Sequence, residues 1–344
     1  MGRILSRATR RATLAQIRFV EPVRPERAPE PVVRVYEQVE QDFGMLAPPI
    51  SLHAPAPATL AAAWVMLREC MVATGQVRRE VKEAVAVGVS LTNACPYCVE
   101  VHSMALYGLT RPADALAVAT GRAGEVSDPE LQRAASWAAA GPAGPPAAPQ
   151  RQRPELVGTA VTFHYLNRMS NVFLVESPIP PGVPGAARRA IRRAAGQLLR
   201  PVLRRPAEPG AALDLLPPAP LPADLAWAAG NPRLSAAFAR AAAAVEAAGR
   251  RSVPDPVRKL VDTVLRDPAA GPVGPSRAWV GPVVADLPPA DRPVAQFALL
   301  TALASYQVTP PVVDELRRQH RDDRSLIEIA AWASLAAARR AAAP

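Results

Sequence analysis

Residues 79–109 read REVKEAVAVGVSLTNACPYCVEVHSMALYGL, and their spacing decides the fold. REVKEAVAVGVS (79–90) has the period of a helix, with Glu83, Val87 and Ser90 on one stripe. LTN (91–93) interrupts it with capping residues. Asn93 and Pro96 then open a second helix that closes near Gly108. Cys95, Cys98 and His102, separated by three and four residues, share one face of that second helix, with the cysteines in its first turn. A helix N-terminus favours negative charge and so raises the thiolate fraction of a cysteine placed there. His102, one turn on, can exchange a proton with Cys98, and a short helix–turn–helix can bring Glu83 against the same face.

Outward from this hairpin the chain continues in helices. VVRVYEQVEQDF (32–43) is amphipathic, residues 59–73 form an apolar helical run with Gly75 as its C-cap, and residues 128–139 form a short helix. GPAGPPAAP (141–149) reads as a loop, and residues 155–174 as a long helix. Residues 1–30 are expected to be an arm ordered only in part, and residues 31–175 a redox domain. Residues 176–222 are a Pro/Arg-rich linker. Its amphipathic helix at 186–205 sets Ile191, Leu198, Leu199 and Val202 against Arg188, Arg189, Arg192 and Arg193. Such a helix can lie on an anionic surface or rest its apolar stripe on the parent domain. Residues 223–340 read as a degenerate, cysteine-free repeat of the first unit. Val81–Val85 lies on Val257–Val261, Asp128 and its helix on Asp291 and RPVAQFALLTALA, and ELVGTAVTFHYLNRM on SLIEIAAWASLAAARR.

Composition narrows the class. The 344 residues are 49% apolar and 20% charged, enough for a core and too apolar for a disordered chain. Forty prolines exclude long sheets and long unbroken helices, and with no extended alternating pattern an all-β fold is excluded. The formal charge of +10 comes almost wholly from arginine, Lys82 and Lys259 being the lysines; it reads as surface charge spelled with Arg, and no nucleic-acid partner is expected. No signal-peptide pattern and no apolar run of about 18 residues is visible, so a cytoplasmic protein without a transmembrane segment is expected.

Three cysteines make no disulfide framework, and a CxxC pair in a cytosolic chain is redox-active or metal-binding. A c-type haem site needs His directly after the second Cys, where Val99 stands. Zinc needs a fourth ligand beyond Cys95, Cys98 and His102, from Cys70, His53 or His164. Cys-Pro-Tyr-Cys also occurs in glutaredoxins, but the βαβ context and the later cis-Pro loop are missing. Two inert buried thiols remain the plain structural alternative. A thiolate, a second thiol in disulfide reach and an acid/base pair suit peroxide reduction. Cys98 attacks the distal oxygen, its sulfenic acid condenses with Cys95, and an external dithiol restores the pair. No cofactor or metal is expected. Cys70 and Trp64, Trp137 and Trp227 are expected in the core.

Glu83, Ser90, Asn93, Cys95, Tyr97, Cys98 and His102 together reproduce E-x6-S-x2-N-x-C-x-Y-C-x3-H, a pattern that resembles the AhpD-like (carboxymuconolactone decarboxylase) superfamily. LHAPAPATLAAAWVMLREC and FHYLNRM also look like segments of its members, and the likeness covers residues 45–175 well and 222–340 faintly. The resemblance implies an all-α fold of helical hairpins, assembled as homo-oligomers. It implies that Cys98 is peroxidatic and Cys95 resolving, that Glu83 and His102 relay the proton, and that the reductant is a lipoyl-type or thioredoxin-like dithiol protein. The chain departs from the family in having Tyr97 where the peroxidase members have His. Ser90, His53 and His164 are secondary candidates. Other readings are a redox-sensing or scaffold protein whose disulfide toggles an interface, and a decarboxylase-like enzyme. The decarboxylase branch, however, generally lacks the full cysteine pair.

Overall fold

Proline marks where the helices begin. In a computed structural model of the chain, which describes residues 9–141, 144–267 and 274–341, most of the main helices carry Pro in their first turn, where a missing N–H costs nothing. They are α1 (Glu30–Phe43), α2 (Pro57–Leu67), α3 (Arg79–Thr92), α4 (Pro96–Leu109), α5 (Pro112–Ala119), α6 (Pro129–Ala140), α7 (Arg153–Phe173), α8 (Gly185–Leu203), α9 (Pro232–Ser252), α10 (Asp255–Arg266), α11 (Arg292–Ala304), α12 (Pro310–Arg317) and α13 (Asp323–Ala341). The all-α expectation holds. Among the described residues the one extended pairing is an isolated bridge between Ile17 and Leu174. Among the described residues no helix is long and apolar enough to cross a membrane.

The α3–α4 hairpin is the centre of the first half. α3 packs on α6 and on α7, and Gly88 permits the first contact, because a Cβ there would stand 2.8 Å from the Ala138 side chain. Long α7 and apolar α2, buried along nearly their whole lengths, then pack on α13 and α9 of the second half. α7 and α13, which the sequence lines up, therefore meet directly, as do α2 and α9. The halves also differ: α6 lies on α3, whereas the corresponding α11 lies mainly on α13.

Several sequence expectations are adjusted. The apolar run at 59–73 forms α2 and a π turn (Arg68–Val72), and Gly75 does not cap it. Gly75 is small for another reason: a Cβ there would sit 2.2 Å from the Glu155 carboxylate, which accepts from the Gln76 and Val77 amides. The arm is partly held. Residues 9–14 are helical and Arg18 N–H donates to the Phe173 carbonyl at 2.9 Å, while residues 1–8 lie outside the described residues. So do residues 142–143 of the expected 141–149 loop. Trp64 is fully buried, but Trp137 and Trp227 only partly, at the edge of the core.

The Arg-rich helix of the expected linker forms as α8 and lies on the back of α4. Arg192 grips buried Glu100 through both oxygens, at 2.8 and 2.6 Å, with Arg188 NH1 at 3.3 Å. Gly108 and Gly196 let the two backbones touch, since a Cβ on Gly108 would be 2.3 Å from the Gly196 carbonyl. Gly108 is therefore an interior helical residue chosen for contact, and α4 runs one residue past it before Thr110 ends the helix.

Candidate active site

The turn between α3 and α4 is built from the backbone outward. Asn93 ends α3, Ala94 takes a left-handed conformation (φ 47°), and the Cys95 N–H donates to the Ser90 carbonyl at 2.9 Å. Cys95 is the N-cap of α4 and Pro96 its first residue, which sets Cys98 one turn along the same face. Both thiols are free and almost wholly buried. Burial, together with the adjoining Cys98 sulfur, pushes the Cys95 thiol well above the ordinary range.

Glu83 and His102 come together across the hairpin. His102 Nδ1–H donates to Glu83 Oε2 at 2.6 Å, and Arg79 Nε donates to Oε1 at 2.7 Å. Burial alone would favour the neutral acid, but Arg79 and His102 outweigh it and hold the Glu83 carboxyl down at about 2. The His102 ring packs edge-on against Phe163, with centroids 4.5 Å apart. One face of the hairpin thus carries a pair of buried thiols, a buried carboxylate and an imidazole with one nitrogen engaged.

The secondary candidates divide. Tyr97 is buried beside the thiols, and its hydroxyl donates to Gln16 of the N-terminal arm at 2.8 Å. Burial and the adjacent cysteines raise its pKa, so it is a neutral donor in this turn. Ser90 Oγ donates to the Ala86 carbonyl and lies 3.1 Å from Asn167 Oδ1, so it ties α3 to α7. His164 stands beside the turn. Asn93 Nδ2 donates to its Nδ1 at 3.0 Å, and burial, reinforced by Arg168, lowers its pKa to about 3, so the ring is neutral. His53 spends both ring nitrogens, on the Ile50 carbonyl at 3.1 Å and on the Tyr165 hydroxyl at 2.8 Å, and burial lowers it to about 4. Both of its nitrogens are thus taken up by protein groups. Cys70 contacts Thr162 Oγ1 at 3.4 Å, and burial raises its pKa; it is a core thiol with no part in the pair. Among the described residues no three His, Cys, Asp or Glu side chains stand in an arrangement that could hold a metal ion.

Four residues at the site carry no sequence motif of their own. Arg79 could have been read as an i,i+4 partner of Glu83. Gln16 could not. Asn171 Nδ2 donates to the Asn93 carbonyl at 3.0 Å and to Ser305 Oγ at 2.9 Å, and Arg168 Nε donates to the Ala302 carbonyl at 2.8 Å. The cysteine-bearing turn is therefore braced from the second half, through α7.

A helical hairpin with a CxxC pair at the start of its second helix and a Glu–His pair bridging the two helices defines the AhpD-like class. The chain is 36% identical over 327 residues to a Mycobacterium tuberculosis protein named alkyl hydroperoxide reductase Rv2159c, an alignment covering 94% of this chain and 93% of the relative. It belongs to the AhpD-like family. No family profile matches the chain, and no solved structure matches it.

Proposed function

We propose that the protein is a dithiol peroxidase that reduces small hydroperoxides to alcohols. The observation that carries the reading is the Arg79–Glu83–His102 chain of ionic hydrogen bonds on the same hairpin face as the paired thiols. Cys95 holds its proton firmly, and the attacking thiolate is assigned to Cys98, one turn into α4 toward His102. That thiolate attacks the distal peroxide oxygen; the O–O bond breaks, and the departing alkoxide takes a proton through His102 as the alcohol. The Cys98 sulfenic acid then condenses with the Cys95 thiol, releasing water and forming the disulfide. An external dithiol, lipoyl-type or of a thioredoxin-like protein, reduces the disulfide by exchange. Alkyl hydroperoxide reduction is also what the name of the mycobacterial relative states of that protein.

In this reading residues 31–175 are the redox unit, 176–222 the connection, and 223–340 a second copy of the fold that has lost its cysteines. The protein acts as a homo-oligomer in the cytoplasm, where dithiol reductants are available. The test is consumption of an organic hydroperoxide by the full chain with a dithiol reductant, wild type against Cys98→Ser and Cys95→Ser. Cys98→Ser is expected to abolish turnover, and Cys95→Ser to allow one turnover that stops at the sulfenic acid. Turnover unchanged in Cys98→Ser would overturn the reading.

A further inference from the structure

Helix α8 has a face that none of this chemistry uses. Its inner side sends Arg188 and Arg192 to Glu100 and presses Gly196, its one buried residue, against α4. Its outer side shows Ala187, Ile191, Ala194, Leu198 and Pro201, all exposed and spaced by alternating steps of four and three. Ile191 is 40% and Leu198 71% exposed, and only Val175 and Tyr306 join them as exposed large apolar side chains among the described residues. Beside this stripe run exposed Arg189, Arg200 and Arg204, while Arg193 reaches over the Tyr107 ring of α4. The ion pairs of α8 among the described residues come from Arg188 and Arg192 alone. No Asp or Glu occurs between Glu176 and Glu208.

We propose that this face of α8 docks the protein on a lipid bilayer containing anionic headgroups. A row of arginines meets lipid phosphates, their aliphatic stems reaching across the apolar boundary, while Ile191 and Leu198 settle at the headgroup–acyl interface. The alternatives fit less well. A second copy would set one arginine row against another. An acidic helical partner is recognised in a groove, and the outer side of α8 is a single helix surface with no neighbouring helix among the described residues beside it to form one. Docking leaves the thiols free, because Glu100 and Gly108 face α8 from the opposite side of α4 to Cys95, Cys98 and His102. The inference does not depend on the peroxidase reading.

The test is co-sedimentation of the full chain with phosphatidylcholine vesicles, with and without phosphatidylglycerol. Binding is expected only to the phosphatidylglycerol vesicles, and it is expected to weaken with added salt. Arg189→Gln and Arg200→Gln should each weaken it by about fivefold, and Leu198→Asp by about tenfold or more. All three are surface changes, and unaltered thermal unfolding checks that each variant is folded. Absence of binding overturns the proposal, as does binding that Leu198→Asp leaves intact. Full displacement from the vesicles by poly-glutamate at matched charge also overturns it, in favour of an acidic protein partner.

Discussion

Glu83 is held by Arg79 and His102 from one buried position, and its behaviour with pH follows from that. Burial pushes its carboxyl up, Arg79 and His102 pull it down further, and the balance rests at about 2. A folded-state value below the ordinary one means that ionised Glu83 stabilises the fold above roughly pH 4.3. That stability is lost as the pH falls from there toward 2. Glu83→Gln should therefore flatten the fall of the denaturant midpoint across that window. It should also lower kcat/KM for hydroperoxide by about a hundredfold, the scale of a lost acid/base partner. A variant with wild-type turnover and an unchanged acid limb would remove Glu83 from the relay. Cys95, Cys98, His102 and Glu83 were legible because local geometry relates them: three lie on one face of one helix, and the fourth lies across a three-residue break. Gln16 on Tyr97 and Ser305 on Asn171 were not, since their partners stand 81 and 134 residues away. His53 and His164 looked alike in sequence and parted only when their ring nitrogens found partners.

Helix boundaries were readable because proline and capping residues act locally. Asp128 illustrates this, its carboxylate accepting from the Glu130 and Leu131 amides at the start of α6. What α8 touches was not readable. Its apolar residues suggested an inward stripe, yet Ile191 and Leu198 face outward, and arginine and glycine make the contact. A Gly–Gly crossing leaves no hydrophobic period to detect. It does leave a mutational signature, because a Cβ on Gly196 would stand 2.5 Å from the Met104 carbonyl and 2.7 Å from the Gly108 nitrogen. Backbone atoms cannot yield by a rotamer change. Gly196→Val is thus expected to lift α8 from α4 at a cost of about 1–3 kcal/mol. Hydrogen exchange should then rise across residues 185–203 and on the outer face of α4, with α9–α13 unaffected. Protection unchanged in α8 would show that the crossing is not what holds it.

At the scale of the molecule the second half is structural support for the first, whatever else it binds. Helix α2 is apolar all round, the pattern of a helix covered on every side, and α9 supplies one of those covers. α13 covers α7 in the same way. Arg168 shows the dependence in polar terms. It is half-buried, its pKa is lowered by burial to about 10, and it donates across the boundary to the Ala302 carbonyl. Without α11 that cation keeps its burial by α7 but loses an acceptor, a costly arrangement. Asn171 likewise loses Ser305 while still holding the Asn93 carbonyl. A chain of residues 9–175 alone is therefore expected to retain helical circular dichroism but to melt without a cooperative transition and to bind a hydrophobic dye. Its cysteines should be alkylated faster than those of the full chain, because the turn that buries them has lost its brace. If residues 9–175 instead unfold cooperatively with their thiols still protected, the proposed redox unit stands by itself, and the second half must be kept for a purpose other than holding the site together.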